Sequence, residues 1–294
     1  KYYQVMETQK PNAPQRNAVK PGSNVRGIKN AFLVIIACFI IAVILFLFVF
    51  GNPSHFDAEG YTGASMWFAP EEFAKAHPLD LVGTVFKGGI IVPILQTLFL
   101  TVIVLSVERA IALKSAKGNG SIAKFVTEVK KCLATNNIAA AQELCKKQRG
   151  SVAAVVSAAL NRYEEMDKNT VLSKEQKIAT IQKEVEEATA IEMPSLQQNL
   201  PIVATLTTLG TLVGLLGTVL GMIKSFQALS ASGAPDSTEL STGISEALVN
   251  TAFGIATGAF AVISYNFYTN KIDNLTYAID EVGFSIVQSF AATH

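Results

Sequence analysis

Histidine and cysteine are scarce in this chain and never gather. The histidines His55, His77 and His294 are far apart, and the cysteines Cys38, Cys132 and Cys145 form no CxxC pair. That leaves no ligand set for a metal and no disulfide framework, so the cysteines read as reduced packing residues. The apolar segments hold no HExxH, no GxSxG and no Cys/His pair. The sequence therefore offers no enzyme chemistry and calls for no cofactor. Charge is short as well: 16% of residues are Asp, Glu, Lys or Arg, against about 25% in a soluble domain. With a formal net charge of +1 and no basic, aromatic-studded groove, nucleic acid is not an expected partner.

What the chain has instead is long apolar runs. Ala31 to Phe50 is uncharged and matches the ~20 residues a helix needs to cross a bilayer. A cleaved signal peptide is the rival reading; the long leading tail and the lack of a small-x-small exit near Gly51-Asn52-Pro53 argue against it. A second run, 88–109, ends at Glu108-Arg109 and carries Pro93 in its first turns, where a missing N–H costs least. Two more follow at 196–228 and 244–268. The expected fold is all-α: a polytopic membrane protein with four transmembrane helices, a helical cytoplasmic domain and long helices extending from the membrane.

The segments between the runs set the topology. Residues 1–30 read as a polar, flexible tail whose charges are almost all basic, and 110–195 as a basic-rich helical domain. Amphipathic stretches show at 121–134, 137–148 and 151–165. Ser173-Lys-Glu-Gln176 is a capping box opening a charged helix to Met193, with Pro194 and Pro201 punctuating entry to the third span. Basic excess selects the cytoplasmic side. It puts the tail, the 110–195 domain and the 269–294 tail inside, and the loops 51–87 and 229–243 outside. Ile272, Leu275, Ile279, Val282 and Ile286 keep helical spacing, so the last helix continues beyond the membrane.

The third and fourth spans carry the candidate site. Gly210, Gly214, Gly217 and Gly221 fall within about 40° of one line on a helix of 100° per residue. Thr207, Thr211, Thr218 and Ser225 form an adjacent hydroxyl stripe. On the fourth span Glu246, Asn250, Thr257 and Ser264 share one line, beside Ala247, Thr251, Gly254 and Gly258. Small faces in lipid are packing surfaces, and polar faces line an interior or a water-filled path. Glu246, Thr218, Thr251, Asn250, Thr211 and Thr257 are therefore the candidates for a proton path or pore lining. The six glycines Gly210, Gly214, Gly217, Gly221, Gly254 and Gly258 are candidates for close packing. Two plainer readings stand beside these: Glu246 pairs with Lys224, and each threonine bonds its own backbone one turn back.

Gly214-Leu-Leu-Gly-Thr-Val-Leu-Gly-Met-Ile-Lys-Ser-Phe226 and Gly243-Ile-Ser-Glu-Ala-Leu-Val-Asn-Thr-Ala-Phe-Gly254 resemble the second and third core helices of the MotA/TolQ/ExbB proton-channel family. Ser106-Val-Glu-Arg109 resembles the inner end of the family's first core helix. The resemblance covers roughly residues 88–270 and leans to the ExbB branch, which makes 31–50 an extra N-terminal helix. It implies a bacterial inner-membrane homo-oligomer, a pentamer, with both termini cytoplasmic and the outer loops periplasmic. It further implies an ExbD-like single-span partner dimer inside the pore, and proton flow that energises a TonB-like protein for outer-membrane transport. The family's acidic residue falls on Glu246 and its threonines on Thr218 and Thr251. Two family positions differ: a threonine aligns with Leu209 and a proline with Thr211. Lys224 stands where a neutral residue is common. Glu108 and Arg109 read as an interfacial pair or an anchor for the partner. A TolQ-like or flagellar-stator-like subunit and a non-conducting membrane scaffold are the alternatives.

Overall fold

The computed structural model describes residues 27–28, 30–57, 76–231 and 237–293. Most of the expected tail 1–30, the middle of the loop 51–87 and residues 232–236 of the loop 229–243 lie outside the described residues. The described chain is all-α, with one isolated antiparallel bridge between Phe56 and Pro78. The helices are α1 (Ala31–Leu45), α2 (Leu81–Lys87), α3 (Ile91–Lys117), α4 (Ile122–Ala134), α5 (Ile138–Gln148), α6 (Gly150–Lys168), α7 (Lys174–Gln197), α8 (Leu200–Ala231) and α9 (Ser237–Thr293). Four helical stretches are long and apolar enough to cross a membrane, beginning at Ala31, Ile91, Leu200 and Leu240. The protein is a polytopic membrane protein. Its chain forms two compact units.

One unit spans Gly27–Ala112 and Gln197–Ile272. Ala31, Cys38, Ala42 and Phe46 form the buried stripe of α1 and of the π-turn (Phe46–Phe50) that prolongs it, at the three- to four-residue spacing one helix face requires. Its other faces present Phe32, Leu33, Phe39 and Ile40 outward, as a lipid-facing helix should. Phe46 stacks on Phe86 with ring centres 4.5 Å apart, and Phe56 meets Phe86 edge-on at 5.8 Å. Val92 joins that cluster, while Val102 and Leu105 pack with Val203, Leu206 and Ala261.

The other unit holds Leu113–Leu196 and Asp273–His294. Here α4, α6 and α7 pack around the end of α9. Tyr163 sets its ring edge-on to Phe290 at 4.9 Å, Gly283 admits Val185, and Lys130 pairs with Glu281 at 2.5 Å. Arg162 joins α6 to α7 through two hydrogen bonds to Glu184, at 2.7 and 3.0 Å. Gly150, at φ +78°, has the Ala116 carbonyl where a Cβ would stand, so only glycine lets these backbone segments meet. The capping box forms: the Gln176 amide N–H donates to Ser173 Oγ, and the Ser173 N–H donates to Gln176 Oε1.

Three local features depart from the sequence expectations. The stretch expected as loop before 88 holds α2, whose N-cap Asp80 accepts the Gly83 N–H at 2.8 Å. That bond, with the His55 ring beside it, holds the Asp80 carboxyl below the usual carboxylate range. Glu108 and Arg109 lie inside α3, which runs on to Lys117. Pro194 does not end a helix either. It sits within α7, flanked by buried Glu192 and Leu196, and tertiary packing outweighs the lost ladder bond. The break falls instead at Asn199, in the left-handed region at φ +63°.

Burial pushes the Cys145 thiol up to about 12. At pH 8 its thiolate fraction is then about one in ten thousand. In the folded, detergent-purified protein, Cys145 should resist iodoacetamide at pH 8 while half-buried Cys132 reacts first, as followed by peptide mass spectrometry. Equal rates would show an open site.

Candidate functional site

The glycine faces of α8 and α9 meet each other. A Cβ on Gly214 would lie 2.9 Å from the Asn250 carbonyl oxygen and from Gly254 Cα; one on Gly254 would lie 2.7 Å from the Gly210 carbonyl oxygen and from Gly214 Cα. Gly210 faces Thr257, Gly217 faces the Asn250 side chain, Gly221 faces Ala247, and Gly258 faces Thr211 and the Thr207 carbonyl. No hydrophobic effect drives helices together in lipid, so close backbone contact and the hydrogen bonds it permits must do so.

That contact brings two hydroxyls together. Thr218 and Thr251 are hydrogen-bonded to each other, and both also point at the Gly214 carbonyl, at 3.3 and 3.5 Å. The other candidates separate by burial. Thr211 is exposed and bonds back to the Thr207 carbonyl at 3.4 Å. Asn250 (2% exposed) and Thr257 (0%) lie inside the protomer. Both share the α9 face that carries Gly254, so the packing that seats the glycine buries them too. Thr257 donates to its own Phe253 carbonyl at 2.8 Å; Asn250 Nδ2 donates to the Gly88 carbonyl at 3.2 Å.

Glu246 is half-buried one turn before Asn250 and interacts with two cations, Lys224 and Lys87. Lys224 Nζ stands beside Gly89. Burial pulls the Lys87 ammonium below its ordinary range, and the Glu246 carboxylate opposes that shift. Lys87 was not among the candidates read from sequence. Its signal was available: it is the sole charged residue between Asp80 and Glu108.

Farther along α3, Glu108 (6% exposed) and Arg109 (0%) form a buried pair. Arg109 donates through Nε at 2.7 Å and through a terminal nitrogen at 2.5 Å. The pair clamps the chain entering α1. The Ile28 N–H donates to Glu108 Oε1 at 3.0 Å, and the Ile28 carbonyl accepts from Gln198 Nε2 and Asn199 Nδ2 at 3.2 and 3.1 Å. Glu108 and Arg109 are thus internal to the unit. In the other unit, a cleft of about 790 Å³ is lined by Lys114, Arg149, Arg162, Glu184 and Glu192 among others.

Residues 148–281 match the model of the MotA/TolQ/ExbB proton channel family. This stretch is a MotA/TolQ/ExbB family domain. It contains α6, α7, α8 and most of α9, and so the whole α8–α9 contact. The chain is 38% identical over 93 residues to biopolymer transport protein ExbB-like 3 of Synechocystis sp., covering 30% of this chain and 44% of that one. It is 38% identical over 81 residues to the biopolymer transport protein ExbB of Helicobacter pylori, covering 28% and 56%. It is 37% identical over 75 residues to the Tol-Pal system protein TolQ of Haemophilus influenzae, covering 26% and 33%. The chain thus spans between a third and just over half of these relatives' lengths.

Substitutions at Gly254 and Arg109 probe this architecture. Gly254→Val drives a side chain into the α8 backbone and should cost about 3 kcal/mol or more, with Gly254→Ala intermediate; thermal unfolding of the detergent-purified protein measures both. Arg109→Leu leaves the Glu108 carboxylate buried without its cation and should destabilise by about 3–5 kcal/mol, most of it recovered when Glu108 is also replaced by an apolar residue. Wild-type melting of Arg109→Leu would refute the clamp.

Proposed function

We propose that this chain is the ExbB-like subunit of a motor driven by proton-motive force in a bacterial inner membrane. The observation that carries this reading is the α8–α9 contact. Within the family-matched stretch, two hydroxyls meet at an apolar helix interface, and a carboxylate flanked by two lysines lies one end away. Thr218 and Thr251 supply proton-accepting hydroxyls. Glu246 serves as the titratable or gating group, with Lys224 and Lys87 setting its charge balance. Asn250 and Thr257 act inside the protomer; Thr211 remains available on its surface.

The same reading assigns the larger assembly. Copies of the chain form a homo-oligomer, a pentamer, around an ExbD-like single-span partner dimer. Proton flow energises a TonB-like protein for outer-membrane transport. Residues 31–50, 88–109, 196–228 and 244–268 span the bilayer, with 1–30, 110–195 and 269–294 cytoplasmic and 51–87 and 229–243 periplasmic. This order follows the basic excess of the inner segments. A TolQ-like output is the second reading, favoured by the similarity to TolQ of Haemophilus influenzae.

The chain, co-expressed with a single-span ExbD-like partner, should give a native mass of five copies plus a partner dimer. In proteoliposomes of that complex, Glu246→Gln and Thr218→Val should each lower proton flux severalfold at equal assembly. Wild-type flux in Glu246→Gln would remove the relay role and leave Glu246 as the partner of Lys224 and Lys87. A complex that never captures such a partner would leave a scaffold.

A further inference from the structure

α3 turns one face toward α9. The Phe99 ring meets Phe260 with centres 5.8 Å apart, and Val249 and Phe253 pack against the cluster that holds Val92. On a helix, positions 92, 96 and 99 fall within about 40° of one line, so Gln96 stands on this face. It is 7% exposed, and neither Oε1 nor Nε2 has a hydrogen-bond partner among the described residues. On α9, Asn250 is 2% exposed and sits at the Gly88 end of this seam. Its Nδ2 is committed to the Gly88 carbonyl at 3.2 Å, while its Oδ1 has no hydrogen-bond partner among the described residues. Reversing the amide would set oxygen against oxygen, so the orphan is the oxygen.

The contrast with neighbouring polar groups is sharp. Thr97 and Thr101, also buried in α3, donate to the Pro93 and Thr97 carbonyls, each at 2.7 Å. They are satisfied within their own helix. The Ser106 hydroxyl lacks a partner too, but one rotation about its Cα–Cβ bond brings it toward the carbonyl four residues back, so it demands nothing. A glutamine amide on a helix has no such local route. In a bilayer bulk solvent is absent, and leaving such a group unpaired is costly. Native proteins meet that demand with ordered water, typically bound by two to four polar groups.

We propose that the α3–α9 seam is hydrated at two places, with buried water on the Gln96 amide and, separately, on Asn250 Oδ1. The chemistry selects water. Gln96 offers both a donor and an acceptor, so its guest must both give and take hydrogen bonds, and Asn250 Oδ1 needs a donor. A hard cation would need several oxygen ligands, and an anion could donate to neither amide oxygen. Both places lie within one protomer and do not depend on what the chain energises.

Proton-detected solid-state NMR of the full chain in lipid bilayers tests this by transfer of magnetisation from water. The Gln96 side-chain amide protons should receive water magnetisation well above the backbone N–H of fully buried Leu95, and the Asn250 side-chain amide should as well. The Gln96 cross-peak is assigned by its loss in Gln96→Leu, or by selective glutamine labelling if that variant does not fold. Gln96 amide protons as dry as the Leu95 N–H, or bonded directly to a protein carbonyl, would overturn the proposal.

Discussion

Gly214 and Gly254 let the backbones of α8 and α9 touch, and the polar groups of the span region are arranged around that contact. Neither position tolerates a Cβ without displacing main-chain atoms of the other helix. Each glycine costs about 1 kcal/mol of helix propensity. A row of them survives only where close approach returns more, through dispersion and the hydrogen bonds that short distance allows. Thr218 and Thr251 meet because of it, and Asn250 and Thr257 are buried because of it.

The carboxylates of the same unit show two solutions to one problem. A charge away from water must be paired or neutralised. Glu108 is paired next door by Arg109 and by main-chain N–H, and the arrangement doubles as a clamp on Ile28. That clamp gives the first apolar helix a physical tie to the rest of its unit. Among the described residues, Glu246 has longer-range company from Lys224 and Lys87. A half-buried carboxylate without a rigid partner can change its protonation at lower cost than a fully clamped one. The proposed function places its titratable or gating group there, not at Glu108.

Much of the fold was legible because its signals are local. Uncharged runs of bilayer length, the amphipathic stretches that became α4, α5 and α6, and the Ser173–Gln176 capping box each depend on residues a few positions apart. Helix ends were less legible. Pro194 looked like a stop, yet buried neighbours carry α7 past it, and Asn199, in a left-handed conformation that sequence does not announce, makes the break. At the candidate site, helical periodicity grouped the glycines and hydroxyls into faces. It could not say which face meets a neighbouring helix and which stays open.

The sequence by itself determined an all-α membrane protein with four apolar helices, a glycine face on each of two of them and a lone carboxylate in the last. These follow from hydropathy and from 3.6-residue geometry, properties of short windows of chain. Only the tertiary structure decided that Asn250 and Thr257 are interior, that Lys87 stands near Glu246 across 159 residues of chain, and that Gln96 is buried with no hydrogen-bond partner among the described residues. Such pairings depend on how helices distant in sequence rotate about their axes when they pack. Close contact between backbones, not any local preference, sets that rotation.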